Sequence, residues 1–133
     1  MLDLQVLEQN AHRAKEANSF SDYKEGSATE EYRRYCESAE QAAEHARKRL
    51  KEMNAPAERS EKVDYLLERY KVKKLEWLND VYRNRASVPS IMIAGPSNFP
   101  VHKKEKQIAR EKSLYEKDPE YIIEKIRGIG IDS

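Results

Sequence analysis

From Tyr32 onward, apolar or small residues recur at Tyr32, Cys36, Ala39, Ala43, Ala46, Leu50 and Met53, a 4-3-4-3-4-3 spacing that keeps one narrow seam of a helix facing a partner. A second long pattern runs through Val63, Leu67, Tyr70, Lys74, Trp77 and Val81. Between them lies Asn54-Ala-Pro56, where proline is tolerated only in the first turn of the helix that follows. The two patterns therefore predict an antiparallel hairpin over residues 27–85, folded about residues 56 and 57. In that register facing positions sum to about 113, as a short connection requires. Tyr70 then faces Ala43, Leu67 faces Ala46, Val63 faces Leu50, Trp77 faces Cys36 and Val81 faces Tyr32, so bulky groups mostly oppose small ones. Lys74 breaks the pattern, opposite Ala39. An unpaired ammonium in a seam costs roughly 2–5 kcal/mol, so its head must reach water or meet an acid. Glu37 and Glu40 flank the facing position and are the expected partners.

On the N-terminal side, Leu2, Leu4, Val6 and Leu7 with Ala11, Ala14 and Ala17 predict a helix over 2–18, followed by a linker. Ser27-Ala-Thr-Glu30 reads as a capping box that opens the hairpin. After Arg85 the composition turns to ASVPSIMIAGPSNFPV, which cannot continue a helix and predicts a loop over 86–101. Ile91, Ile93 and Phe99 are expected to fold back over one end of the hairpin, and Asn98 to cap a helix entering through Pro100. The helix from Val101 to Glu116 has few sizeable apolar groups, namely Ile108, Leu114 and Tyr115 after Val101, and is expected at the surface. Asp118-Pro119 then starts a short helix carrying Tyr121, Ile122, Ile123 and Ile126, stopped by Gly128 and Gly130. The fold class expected is all-α: one helical domain over 1–133, with an N-terminal helix, the long hairpin, a Pro/Gly-rich loop, and a basic and a short C-terminal helix within 102–133.

Composition agrees. Charged residues make up 37% of the 133, with Gly 4 and Pro 5, too few turn-formers for a sandwich or barrel. Lys+Arg is 25 against Asp+Glu 24, so no global field draws the protein to a polyanion and any such binding needs a local patch. The one cysteine, Cys36, can form no intrachain disulfide and fits a reducing compartment. The start MLDLQVLEQN has neither a basic segment nor an apolar core, and the uncharged stretch from Ala86 to His102 is broken by three prolines. An intracellular protein without a membrane span is expected.

An enzyme would need a nucleophile with its base, a metal cluster or a phosphate-binding loop. The chain carries no GxGxxG, GxxxxGK[ST], HExxH or GxSxG pattern, and His12, His45 and His102 have no ligand spacing. Cys36 has Arg33 and Arg34 nearby, but its seam position favours an inert thiol. No catalytic residue, metal or cofactor is expected. Binding is better supported. Basic clusters occur at Arg47 to Lys51, at Arg69 to Lys74 and at Lys103, Lys104 and Lys106 with Arg110 and Lys112. Only the third is locally unbalanced, with five Lys/Arg against Glu105 and Glu111 between Ala86 and Leu114. The partner-binding surface expected is therefore Ser97, Asn98, Phe99, Lys103, Lys104, Lys106 and Arg110, at a helix start where phosphates or an acidic protein face could sit. The outer tyrosine-bearing faces of the hairpin are the second place to look.

The run Val88-Pro-Ser-Ile-Met-Ile-Ala-Gly-Pro-Ser-Asn-Phe-Pro-Val-His-Lys-Lys-Glu-Lys-Gln107, after a charged helical hairpin, resembles segments of phage and mobile-element proteins. It resembles helical modules of the large polyvalent proteins, and in general character is similar to small anti-CRISPR proteins that inhibit type II effector nucleases. The resemblance implies a non-enzymatic anti-defence protein in the bacterial cytoplasm, with a CRISPR effector nuclease or its nucleic acid as partner. Two other readings are carried: a nucleic-acid-binding accessory module of a larger polyvalent protein, favoured by a chain that stops just after a turn signal, and a coiled-coil-like oligomerisation domain that would form homo-oligomers through the Ala-rich seam.

Overall fold

The computed structural model describes residues 3–131, the side chain of Asn98 excepted, and these are helical with no strand among them. The order is α1 (Leu4–Asn18), α2 (Ser27–Glu52), α3 (Ala57–Ser87), a single turn α4 (Ile91–Ala94), a 3-10 turn at Pro96–Asn98, α5 (Val101–Glu116) and α6 (Glu120–Gly128). Leu2, expected to open the first helix, lies outside the described residues. The all-α class and the long hairpin are as the spacing implied.

The turn of the hairpin is closed by backbone chemistry. Asn54 takes φ +54, its amide donates to Lys51 O at 3.1 Å and that of Ala55 to Leu50 O at 3.0 Å. These are the two reversed bonds that satisfy the last carbonyls of a helix when the next residue turns left-handed, and asparagine tolerates that region better than other non-glycine residues. Two cross-helix ion pairs report the register. Arg47 binds Asp64 through Nε at 3.0 Å, and Lys71 Nζ lies 2.8 Å from Glu40 Oε1. Each acid or base sits on α3 two positions before the residue expected to face it.

By contact density the chain divides into two compact units, Met1–Glu31 with Leu75–Asp118, and Tyr32–Lys74 with Pro119–Ser133. In the second unit one apolar cluster unites Ala39, Ala42, Ala43, Ala46 and Leu50 of α2, Val63, Leu66, Leu67 and Tyr70 of α3, and Ile122, Ile123 and Ile126 of α6. The alanines serve more than one neighbour: a side of α2 without bulk leaves room for the three isoleucines, each of which contributes about 1.5–3 kcal/mol by leaving water. The seam ends at Leu50; Met53, expected to continue it, is exposed, because the chain has already left the helix. Gly130 follows α6 at φ +84, and a Cβ there would lie 3.0 Å from Arg49 Cβ. Arg49 in turn donates to Ile129 O at 3.0 Å and Arg127 O at 2.9 Å, serving carbonyls that a terminating helix leaves unpaired.

Lys74 is 1% exposed, as its place in the seam required, but its acid is neither Glu37 nor Glu40. Its Nζ lies 3.0 Å from Glu120 Oε1, and 3.9 Å from the centroid of the Tyr35 ring. Tyr70 donates to the same Glu120 oxygen at 2.8 Å. Glu40 is turned to Lys71. The carboxylate comes not from the facing helix but from the first turn of α6, where a helix N-terminus favours negative charge.

The first unit is fastened by polar side chains. Asn10 of α1 donates to Asn79 Oδ1 of α3 at 2.8 Å, both buried. Trp77 Nε1 donates to Leu114 O at 2.7 Å, and its ring packs at 5.7 Å from that of Tyr115. At the N-terminus of α2 the Glu30 amide does not go to the Ser27 hydroxyl as a capping box would have it. The Glu30 amide donates to Gly26 O at 2.9 Å, and the capping acceptor is Glu8 of α1. Its carboxylate receives the Gly26 amide at 2.7 Å and, at 2.8 Å each, the Thr29 amide, the Thr29 hydroxyl and the Tyr23 hydroxyl. Burial alone would raise the Glu8 carboxyl, but these hydrogen bonds outweigh it and hold the group below its ordinary range.

Candidate functional site

The segment expected to be a loop over 86–101 is more ordered than its prolines suggested. α3 runs on to Ser87, α4 forms one turn, and the Ser90 amide donates to Ala17 O at 2.8 Å. Its apolar residues do not behave as expected: Ile91 is 51% and Met92 63% exposed, Ile93 and Phe99 are half-buried, and the residue that leaves water is Val88. A one-turn helix cannot turn several consecutive aliphatics to one side, so Ile91 stays outside. The cap expected of Asn98 falls on a side chain outside the described residues; its backbone closes the 3-10 turn, and α5 starts at Val101 after Pro100.

The weak amphipathy of α5 has a specific cause. Its one buried residue is Gln107, 6% exposed. The Gln107 amide donates to Asn84 O at 2.6 Å and Val88 O at 3.2 Å, while Asn84 Nδ2 donates back to Gln107 O at 2.9 Å. A glutamine thus occupies the place of an apolar anchor because what it faces is the row of carbonyls ending α3. Arg85 of that last turn binds Glu111 through Nε at 2.6 Å. Burial weakens the charged form of this guanidinium, yet Glu111 and Tyr115 more than compensate and raise its affinity for the proton.

With Gln107 inward, the basic residues of α5 separate onto two faces. Lys104, Gln107, Ile108 and Glu111 line a cavity of about 670 Å³ shared with α1, the linker and the end of α3, and Lys104 is half-buried with its Nζ 3.5 Å from Val88 O. Lys103, Lys106 and Arg110 are exposed outside that lining, at the spacing of one and two helical turns. None of these three forms an ion pair or side-chain hydrogen bond among the described residues. Ser97 is exposed in the 3-10 turn, whereas Phe99 is half-buried. Of the expected surface, then, three cations and Ser97 face solvent, and Lys104 and Phe99 turn partly inward.

Elsewhere the seam thiol is guarded. Burial pushes Cys36 up, with Tyr32 and Lys71 pulling it only partly back, which disfavours the reactive thiolate. Among the described residues there is no group of three or more His, Cys, Asp or Glu able to hold a metal ion, and no helix is long and apolar enough to cross a membrane. The site missed from sequence lies in the second unit. Arg59, Lys62, Arg69 and Lys125 line a groove of about 960 Å³ beside Tyr65. Of its cations only Arg69 fell in one of the basic clusters of the sequence, and the groove needs α6 as its other wall, which Lys125 alone marks with positive charge. Comparison of the chain with protein-family models, with curated proteins and with solved structures finds no match.

Proposed function

We propose that this chain is a non-enzymatic anti-defence protein of the phage and mobile-element kind, acting on an RNA-guided nuclease by engaging its nucleic acid through the outer face of α5. The observation that carries the reading is the row Lys103, Lys106 and Arg110: three cations aligned on one exposed side of a helix and uncompensated by acids among the described residues. Such a row suits phosphates, which position a partner through charge and need no base contact. The half-burial of Phe99 argues against an aromatic anchor in a protein pocket, which would have to be free to insert. The resemblance of the Val88 to Gln107 run supplies the biological setting.

The test is inhibition of guided DNA cleavage by a type II effector nuclease, measured with the intact chain. Lys103→Glu combined with Lys106→Glu should abolish inhibition, and binding of the wild type to the nuclease–guide complex should weaken with salt at a log–log slope of roughly −2 to −3, for about three phosphates. Phe99→Ala should change little. Undiminished inhibition by the double variant removes α5 as the contact. Nucleic acid bound with cleavage unaffected would instead identify an accessory module of a polyvalent protein.

A further inference from the structure

The geometry points to the groove between α3 and α6, walled by Arg59, Lys62, Arg69 and Lys125 with Tyr65 and Tyr121 around Arg69, as a binding site for single-stranded nucleic acid. Four cations border one concavity, and none forms an ion pair among the described residues. Of the nearby acids, Glu124, the one acid lining the groove, binds Arg127 at 2.6 Å, Asp64 binds Arg47 and Glu68 is 4.0 Å from Lys71, while Glu58 and Glu61 form no ion pair with these cations among the described residues. Like charges gathered around one concavity without ion pairs repel one another, and a polyanion relieves that repulsion while releasing its counterions.

Charge alone would not distinguish one polyanion from another. The aromatic groups do. Tyr65 is 61% and Tyr121 47% exposed, unusual for rings so close to a helical core and unlike Tyr32 and Tyr70, which are buried. The Arg69 guanidinium donates to Tyr65 Oη at 3.4 Å, Tyr65 and then Tyr121 raise its affinity for the proton, and Lys125 Nζ lies 5.6 Å from the Tyr121 ring centroid. Cations beside open ring faces form the arrangement that holds unpaired bases by stacking and the backbone by charge. A duplex keeps its base faces stacked inside and cannot use the rings. This inference is independent of the α5 reading.

The test uses a short fluorescein-labelled oligo(dT), its oligo(U) counterpart and a duplex of equal length, titrated with the full chain across a salt series and read by anisotropy. Single strands should bind in preference to the duplex, with a log–log salt slope of roughly −2 to −3, corresponding to about three or four phosphates. Lys62→Glu with Arg69→Glu should abolish binding. Tyr65→Ala should weaken it by roughly 5- to 150-fold, and Tyr121→Ala likewise, with Tyr→Phe at either position leaving affinity intact. Circular dichroism confirms that these surface variants fold. An oligonucleotide carrying bromodeoxyuridine should photo-cross-link within residues 59–69 or 121–125 and do so equally in the Lys103→Glu, Lys106→Glu variant. Equal affinity for duplex and single strand with unaffected tyrosine variants, or cross-links confined to α5, would overturn the assignment. Cleavage inhibition undiminished in the Lys103→Glu, Lys106→Glu variant, with its cross-links intact, would count against the α5 reading alone.

Discussion

Inside each of the two units a different chemistry holds the helices. In the unit built from Tyr32–Lys74 and the C-terminal segment, alanines, branched aliphatics and Tyr70 form one apolar cluster, and the main polar intrusion is the Lys74–Glu120 pair. In the unit containing α1, the end of α3 and α5, the fastenings are side-chain amides and a capping carboxylate: Asn10 to Asn79, Gln107 to the end of α3, and Glu8 to the start of α2. The difference teaches why the two halves were so unequally visible. Apolar burial demands a periodic run of residues, whereas a carbonyl row or an open helix end can be satisfied by one correctly placed side chain.

The largest expected effect breaks the apolar unit at its buried ammonium. Glu120→Ala should destabilise by about 3–5 kcal/mol, because it removes the carboxylate 3.0 Å from a buried ammonium. Lys74→Met should be neutral or stabilising within about 1 kcal/mol, since Glu120 keeps the Tyr70 hydroxyl and access to water. Urea midpoints of the two variants measure the asymmetry, and a Glu120→Ala protein as stable as the parent would show that the ammonium is satisfied by other groups.

In the polar unit, Gln107→Leu retains bulk but leaves the Asn84 and Val88 carbonyls without that donor. A loss of about 1–3 kcal/mol is expected, with hydrogen exchange accelerating first at the end of α3. A leucine variant of parental stability would mean that the site behaves as an apolar core after all, and the contrast between the units would shrink.

The smallest effect is pH-dependent and sharpens the comparison. Because the folded Glu8 carboxyl is lowered from the ordinary 4.5, its contribution is fully present above that value and is lost as pH falls through the lower folded value. Glu8→Gln should cost roughly 0.5–2 kcal/mol at neutral pH, and the gap from wild type should narrow on acidification below about 4.5. Denaturant midpoints over a pH series test this; a constant gap would mean the carboxylate does not act as the charged cap.

By itself the sequence determined the helices and the hairpin. Period, the Asn54-Ala-Pro56 break and the opposition of small to large residues are local properties, and they located α2, α3, α6 and the burial of Lys74. It also placed charge on α5, though not which cations stay outside: that depended on Gln107 turning inward, which sets Lys103, Lys106 and Arg110 outward and Lys104 toward the cavity. Tertiary structure alone decided the partners that lie far apart along the chain. Glu120 for Lys74, Glu8 for the α2 terminus and Lys125 opposite Arg69 are each separated from their sites by many residues. A single polar side chain leaves no periodic trace, so its partner becomes known only when the chain has folded.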